Sequence, residues 1–288
     1  MLNSKQQILF LGGDNRQKYV KEFISSSDIV NSNYQIEDQI FTSIEYESDI
    51  LELVKHSHIL IAPIPLPKTH TEIILPCITI PFQKIIENLN ENTIVFAGGL
   101  SNELTQLMYL KKIIYFDCLK NESVQIKNAI ATAEGTIMKA IEKSNINIHS
   151  SNCLVTGFGK CGKVLADMLS GLKANVTVCA RSDKNLSEAL VNGYKGVPLN
   201  NLHMCINEYD FIFNTIPALV INDTAINNIS PDTVIIDIAS VPGGINFEYA
   251  KNKGLSPIHY LSIPGKVAPK TSGHILGEYI LNTILTTI

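Results

Sequence analysis

Two doubly wound α/β domains are predicted by three observations. Short apolar strands alternate with helices, one long helical run divides the chain in the middle, and the length suffices for two cores. The 288 residues are 45% hydrophobic and 17% charged, without tryptophan, and a usual domain takes ~100–200 residues. Parallel strands need helical crossovers, so this alternation describes sheets covered on both faces.

The elements follow in order. Residues 7–11 form an apolar strand, and a helix runs from Gly12-Gly13-Asp14-Asn15-Arg16-Gln17 to about Ile24. A second strand at 59–62 is closed by Pro63, Pro65 and Pro67, which cannot donate to a ladder. Pro81 fits the first turn of a helix reaching about Leu89. Residues 93–97 are a buried-type strand, after which Ser101 or Asn102 caps a helix to about Lys112. From Glu122 to about Lys143 one helix carries Val124, Ile126, Ala129, Ile130, Ala133, Ile137, Met138 and Ile141 on a broad apolar face. It is read as a spine between domains. Further strands are expected at 211–213 and 234–237. A last helix over about 270–288 is expected to return to the first domain. The predicted division is 1–120 for a first, substrate-binding domain, 121–147 for the spine, 148–268 for a nucleotide-binding domain and 269–288 for the returning helix.

The most specific chemistry sits after the strand beginning at Cys153. It ends in Gly157-Phe158-Gly159-Lys160-Cys161-Gly162, and a helical pattern opens behind it. In this Rossmann-like fingerprint the first glycine permits the turn, the second lets amides approach a pyrophosphate, and the third lets helix and strand pack. The helix N-terminus favours the anion. The next strand, 175–179, ends in Ala180-Arg181-Ser182. A carboxylate there would bond a ribose 2′-hydroxyl; a guanidinium beside a hydroxyl suits a 2′-phosphate instead. NADP is therefore expected over NAD, with a solvated surface Arg181 as the plainer reading.

Other strand ends are expected to face a crevice between the domains. Asn214-Thr215-Ile216-Pro217 would run under the nicotinamide ribose, and Ala239-Ser240, opening a loop rich in Pro and Gly, would also contact the cofactor. Arg16, Lys266, Lys270 and the hydroxyls of Thr271 and Ser272 would form an anion-binding substrate site.

Composition excludes several classes. A net charge of −4 with scattered Lys and Arg leaves no footprint for nucleic acid. No apolar run reaches the ~18 residues of a membrane span. The start of the chain lacks the charged and apolar regions of a signal peptide, so a cytoplasmic place is expected. The six cysteines form no C-x-x-C pair and read as small core hydrophobes, with Cys161 packing the glycine loop. His56-Ser-His58 lacks partners at ligand spacing, so no metal is expected. Apolar faces on the spine and last helix serve either a homo-oligomer contact or intradomain core.

Gly12-Gly-Asp-x-Arg-Gln17, Ala133-Glu-Gly-Thr-Ile-Met138, Gly-x-Gly-Lys-x-Gly162, Ala180-Arg-Ser, Asn214-Thr-Ile-Pro, Asp237-Ile-Ala-Ser-x-Pro-Gly-Gly244 and Pro264-Gly-Lys-Val-Ala-Pro-Lys-Thr271 together resemble the A subunits of dipicolinate synthase. The likeness runs from about residue 8 to 280. It implies oxidation of dihydrodipicolinate to dipicolinate with NADP, on a branch of lysine biosynthesis, in the mother-cell cytoplasm during sporulation. It further implies a partner, the flavoprotein-like B subunit. Residues 157, 159, 160, 161 and 162 would then hold the pyrophosphate, Arg181 and Ser182 the 2′-phosphate, and 214–217 the nicotinamide side. Where the family pattern has Arg-Thr after the second glycine, this chain has Lys160-Cys161, which keeps the charge and loses a hydroxyl.

For such a dicarboxylate Asp14 and Arg16 are both expected at the substrate, and Arg16 suits one carboxylate as a bidentate partner. Lys266 or Lys270 suits the other as a point charge. Glu134 is the candidate base, with capping or solvent contact as its alternative, and Lys270 is the second catalytic candidate. Other readings of the same plan are an NAD(P)-dependent amino-acid or hydroxy-acid dehydrogenase and a non-catalytic NADP-binding subunit. His274 has no evident carboxylate partner and reads as a helix-face residue, which counts against a His–acid dehydrogenase.

Overall fold

The computed structural model describes residues 5–39, 45–66 and 72–287. The chain divides into two units, one joining Met1–Lys127 to Ala268–Ile288 and the other comprising Asn128–Val267.

In the first unit an apolar strand, β1 (Gln6–Leu11), leads into α1 (Asn15–Ser25), α2 (Asp28–Asn33), β2 (Tyr34–Gln39), α3 (Glu47–His56) and β3 (Ile59–Ile61). A small antiparallel hairpin of β4 (Glu72–Ile74) and β5 (Thr79–Pro81) precedes α4 (Phe82–Asn88), β6 (Ile94–Ala97), α5 (Asn102–Leu110) and β7 (Ile114–Asp117); α6 (Glu122–Lys143) begins in this unit and continues into the second after Lys127. The sheet is parallel in the order β2-β1-β3-β6-β7. Its central strands, β1, β3 and β6, are apolar on both faces because helices cover both: Leu9, Leu60 and Val95 pack with α3 to α5, and Ile8, Phe10 and Phe96 with α1.

Local rules place most of these ends. Asp14 caps α1 and Ser101 caps α5, each accepting a backbone N–H two or three residues on. Pro81 closes β5 and stands just before α4 rather than in its first turn, with an extended ψ of 131°. Pro67 and residues 1–4, expected to close a strand and to begin the chain without a leader, lie outside the described residues, as does Ile288.

The second unit runs β8 (Asn152–Thr156), α7 (Lys160–Gly171), β9 (Asn175–Ala180), α8 (Asp183–Val191), β10 (Lys195–Pro198) and α9 (Leu202–Cys205). It continues with β11 (Phe211–Asn214), α10 (Asp223–Ile226), β12 (Val234–Asp237), α11 (Phe247–Asn252), β13 (Ile258–His259) and α12 (Ile263–Val267). All six strands are parallel, in the order β10-β9-β8-β11-β12-β13. Counted within the unit this is 3-2-1-4-5-6, the order of dinucleotide-binding sheets, whose switch point lies at the carboxyl end of the first strand. Cys153, Val155, Phe211 and Phe213 fill one face with α7 and the later turns of α6, while Leu154, Ile212 and Ile235 fill the other with α9 to α11.

The long helix has the predicted bounds, but its apolar positions split. Val124, Ala129, Ala133 and Ile137 are buried, whereas Ile126, Ile130, Met138 and Ile141 are 48–57% exposed. The last helix, α13 (Pro269–Thr287), returns to the first unit as expected. Leu276, Ile280 and Ile284 join Ile8, Val20 and Ile24 in one core. Gly273 and Gly277 let the two helix backbones approach: a Cβ at 273 would stand 2.6 Å from the Arg16 carbonyl oxygen, and one at 277 would stand 2.9 Å from Phe23 Cβ. No described helix is long and apolar enough to cross a membrane.

Candidate functional site

In the second unit the carboxyl ends of β8, β9, β11 and β12 carry the residues predicted to hold a dinucleotide. Gly157 has φ +91°, and a Cβ there would overlap Thr215 Oγ1 and approach Ile216 Cγ1 to 2.9 Å. A Cβ on Gly162 would overlap the Gly157 carbonyl oxygen. Gly159 is different. It is exposed, its φ of −85° is open to any residue, and beyond its chain neighbours and its own helix backbone nothing lies within 4 Å of where its Cβ would be. The first and third glycines are therefore required by the protein itself, while the second keeps space open at the N-terminus of α7. No side chain caps that helix. An open cradle at a helix N-terminus on the first strand's end fits a pyrophosphate.

The side chains around the cradle divide between surface and core. Lys160 is exposed and Cys161 half-buried; burial raises the Cys161 thiol above its ordinary value, against a smaller lowering by Lys160. Phe158, within the loop expected to meet the cofactor, turns its side chain into the core, edge-on to Tyr194 at 6.2 Å with Lys163 over its ring, which leaves its backbone to the cradle. At the end of β9, Ala180 is buried. Arg181 is exposed and its side chain has no partner among the described residues. The Ser182 oxygen caps α8, accepting from the Asn185 amide. Its O–H is still a donor.

Asn214 is fully buried, and its amide is committed to the protein rather than to an open face. Oδ1 accepts from Thr156 Oγ1 at 2.6 Å and from the Ile216 amide, and Nδ2 donates to the Ile216 carbonyl and to Asp237 Oδ1 at 2.8 Å. Thr215 and Ile216 are half-buried and Pro217 exposed; Ala239 is buried and Ser240 exposed. The sequence reading missed Asp237 as a functional residue. Its carboxylate is wholly enclosed and accepts from Asn214, from the Ala239 amide at 2.9 Å and from the Gly244 amide at 2.7 Å. Its signals were an acid ending the apolar run Val234-Ile-Ile-Asp237 and its place at the head of the Asp237-Ile-Ala-Ser-x-Pro-Gly-Gly244 segment.

In the first unit the strand order, read within the unit as 2-1-3-4-5, puts its own switch point between β1 and β3. The Gly12 to Gln17 segment lies there. Gly12 and Gly13 take φ of +65° and +110°, turning the chain into α1. Gln17 is buried and donates to the carbonyls of Ile61 and Ala62 at the end of β3. Arg16, 4% exposed, is clasped side-on by Asp14: Nε donates to both carboxylate oxygens and Nη2 to Oδ2 at 2.6 Å. Its Nη1 has no partner among the described residues. The start of α13 lies against this segment through Gly273, which brings Thr271 and Ser272 to the neighbourhood of Arg16. Lys270 and Thr271 are exposed, whereas Ser272 is fully buried, its amide donating to Ala268 O.

Glu134 and Lys266 lie on adjoining helices of the second unit. A Cβ on Gly135 would overlap Ile263 and come 3.0 Å from Val267, so α12 is seated directly on α6 beside Glu134. Glu134 is exposed and has no side-chain partner among the described residues. Lys266 is held over the Tyr260 ring at 5.0 Å, with Lys139 also over that ring at 5.3 Å. His274 packs on the rings of Tyr19 and Phe23. Among the described residues no group of three His, Cys, Asp or Glu is placed to hold a metal ion.

Residues 139–259 match the shikimate/quinate 5-dehydrogenase family, and residues 7–119 match the N-terminal domain of the dipicolinate synthase A subunit. The dehydrogenase match and the fold together imply a nicotinamide cofactor and an oxidoreductase. The chain is similar over nearly its whole length to the crystal structure of the dipicolinate synthase A subunit from Bacillus halodurans, with a TM-score of 0.86, 27% identity and 97% of each chain covered. The dipicolinate synthase A subunit from Bacillus subtilis superimposes with a TM-score of 0.82 at 25% identity, covering 98% of this chain and 97% of that one. In sequence, the dipicolinate synthase A subunit of Bacillus subtilis (strain 168) is 33% identical over 206 residues, 72% of this chain and 69% of the relative. By this sequence and fold likeness, running through both units, the chain belongs to the family of dipicolinate synthase A subunits.

Proposed function

We propose that the chain oxidises dihydrodipicolinate to dipicolinate with NADP⁺ as hydride acceptor. The observation that carries the cofactor half is Arg181, an exposed guanidinium without a partner among the described residues, at the end of β9 where an NAD-preferring site has a carboxylate. Family membership supports the substrate half. In the overall change a ring C–H bond breaks, its electron pair leaves as hydride, one proton leaves the ring, and the product is aromatic. NADP, when bound, supplies the hydride acceptor at its nicotinamide.

The chain's own groups then bind, orient and take the proton. The amides of the Gly157–Gly162 turn take the pyrophosphate, and Arg181 with the Ser182 O–H takes the 2′-phosphate. Arg16 presents Nη1 from a guanidinium that Asp14 has already immobilised, which lowers the entropy cost of gripping a carboxylate. Thr271 supports it, and Lys266 or Lys270 takes the second carboxylate. Glu134 accepts the ring proton. A flavoprotein-like B subunit is the proposed partner, and the mother cell of a sporulating bacterium the proposed place of work.

The test is NADPH formation by the purified chain given NADP⁺ and freshly generated dihydrodipicolinate, with and without the B subunit. Turnover by the chain alone is expected. Turnover that needs the B subunit would reduce the chain to the cofactor-binding part of a shared enzyme, and silence in both would overturn the reading.

A further inference from the structure

Four polar residues end four neighbouring strands of the second sheet at one level: Thr156 on β8, Asn214 on β11, Asp237 on β12 and His259 on β13 are successive register partners. Three are linked side chain to side chain, Thr156 Oγ1 donating to Asn214 Oδ1 and Asn214 Nδ2 to Asp237 Oδ1. From this row bonds run outward into two loops. Asn214 holds both backbone groups of Ile216, and Asp237 holds the amides of Ala239 and Gly244. His259 Nε2 donates to the Ala239 carbonyl at 2.8 Å. The loops are laced to each other as well, since Val220 and Ile221 both donate to the Gly244 carbonyl. Gly243 and Gly244 leave no room for a side chain, a Cβ on the first standing 2.8 Å from Asp237 Oδ2 and one on the second 2.5 Å from Ile216 O.

We infer that Thr156, Asn214 and Asp237 form a buried brace that positions the Thr215–Ile216 and Ala239–Ser240 loops for the nicotinamide half of the cofactor. These are positioning residues, since all three are enclosed. The inference rests on the cofactor reading above. The carboxylate matters chemically because Asn214 Nδ2 and the amides of Ala239 and Gly244 all donate to it. An amide at 237 must turn its NH₂ toward Asn214 Nδ2 or toward a backbone N–H, and either choice leaves donors facing each other inside a dry core.

Binding of NADPH and of 2′-phospho-ADP-ribose, which lacks the nicotinamide, separates the possibilities. For Asp237→Asn the NADPH dissociation constant is expected to rise roughly tenfold, while that of 2′-phospho-ADP-ribose stays within about twofold. Should that variant fail to fold, Thr156→Val removes just the hydroxyl that orients Asn214. It is expected to weaken NADPH alone by about threefold, with recovery in Thr156→Ser. Equal losses for both ligands, or no loss for either, would overturn the brace. Wild-type protein that binds neither ligand would overturn the cofactor reading itself.

Discussion

Gly162 lies so close to Gly157 that a Cβ on it would overlap the Gly157 carbonyl oxygen and stand 3.0 Å from the carbonyl carbon. A Cβ on Gly159, between them, would meet nothing within 4 Å beyond its chain neighbours and its own helix backbone. The two positions must therefore fail differently. Gly162→Ala forces β8 and α7 apart at an overpacked point and is expected to cost about 2 kcal/mol of stability. Gly159→Val is expected to melt at the wild-type temperature and to lose dinucleotide binding, because its side chain occupies the cradle. Thermal melts paired with NADPH titrations check both; a Gly159→Val protein of native affinity would make the loop ordinary structure.

Much of this site was legible because its signals are local. A glycine fingerprint between strand and helix, a Ser or Asp cap and an apolar run are each read within about a dozen residues. The β4–β5 hairpin escaped, and so did β2, β7, β10 and β13 at the edges of the two parallel sheets; β2 is polar (Tyr-Gln-Ile-Glu-Asp-Gln) and β7 half exposed, so neither shows the apolar block of a central strand. The brace escaped for another reason. Asn214 and Asp237 are neighbours because β11 and β12 pair in parallel register, and their 23-residue separation carries no trace of that. Arg16 was read as a bidentate anion ligand with Asp14 beside it at the substrate; its Nε and Nη2 proved to be taken by Asp14 itself, two residues away.

Arg181→Asp tests the choice of cofactor. The substitution removes a charge-assisted phosphate partner and supplies an acceptor for a ribose hydroxyl, so the NADP-to-NAD preference is expected to fall by roughly a hundredfold. Dissociation constants for NADPH and NADH on both proteins measure it. An unchanged ratio would leave Arg181 as a solvated surface residue.

The return of α13 depends on small residues. Gly277 admits Phe23, whose Cβ would stand 2.9 Å from any Cβ placed there, and Gly273 admits the backbone of Arg16. Gly277→Leu is expected to destabilise the first unit by about 3 kcal/mol, since neither helix can yield without opening the core that holds Leu276 and Ile280. Hydrogen exchange should show lost protection in α1 and α13 while β8, β11 and β12 keep theirs. Uniform loss across both sheets would mean that the two units unfold together.

Stability should fall on the alkaline side for a reason set by the buried cysteines. Burial pushes the thiols of Cys153 and Cys179 up from 9.0 to about 12, with a smaller push from Asp210 on the first and Cys205 on the second. Cys118 is raised as well, again chiefly by burial. A thiol raised in the folded state keeps its proton there after the unfolded chain has lost it. The stabilisation is whole below the unfolded value, and it is lost progressively as pH climbs from 9.0 toward about 12. Each such group contributes a slope of at most about 1.4 kcal/mol per pH unit inside that window. Urea unfolding at several alkaline pH values should show the decline, and a Cys153→Ala/Cys179→Ala protein should show a shallower one. Tyr209 is also raised to about 12 by burial, so part of the slope will remain. If the double variant declines as steeply as the parent, the thiols are not the groups responsible.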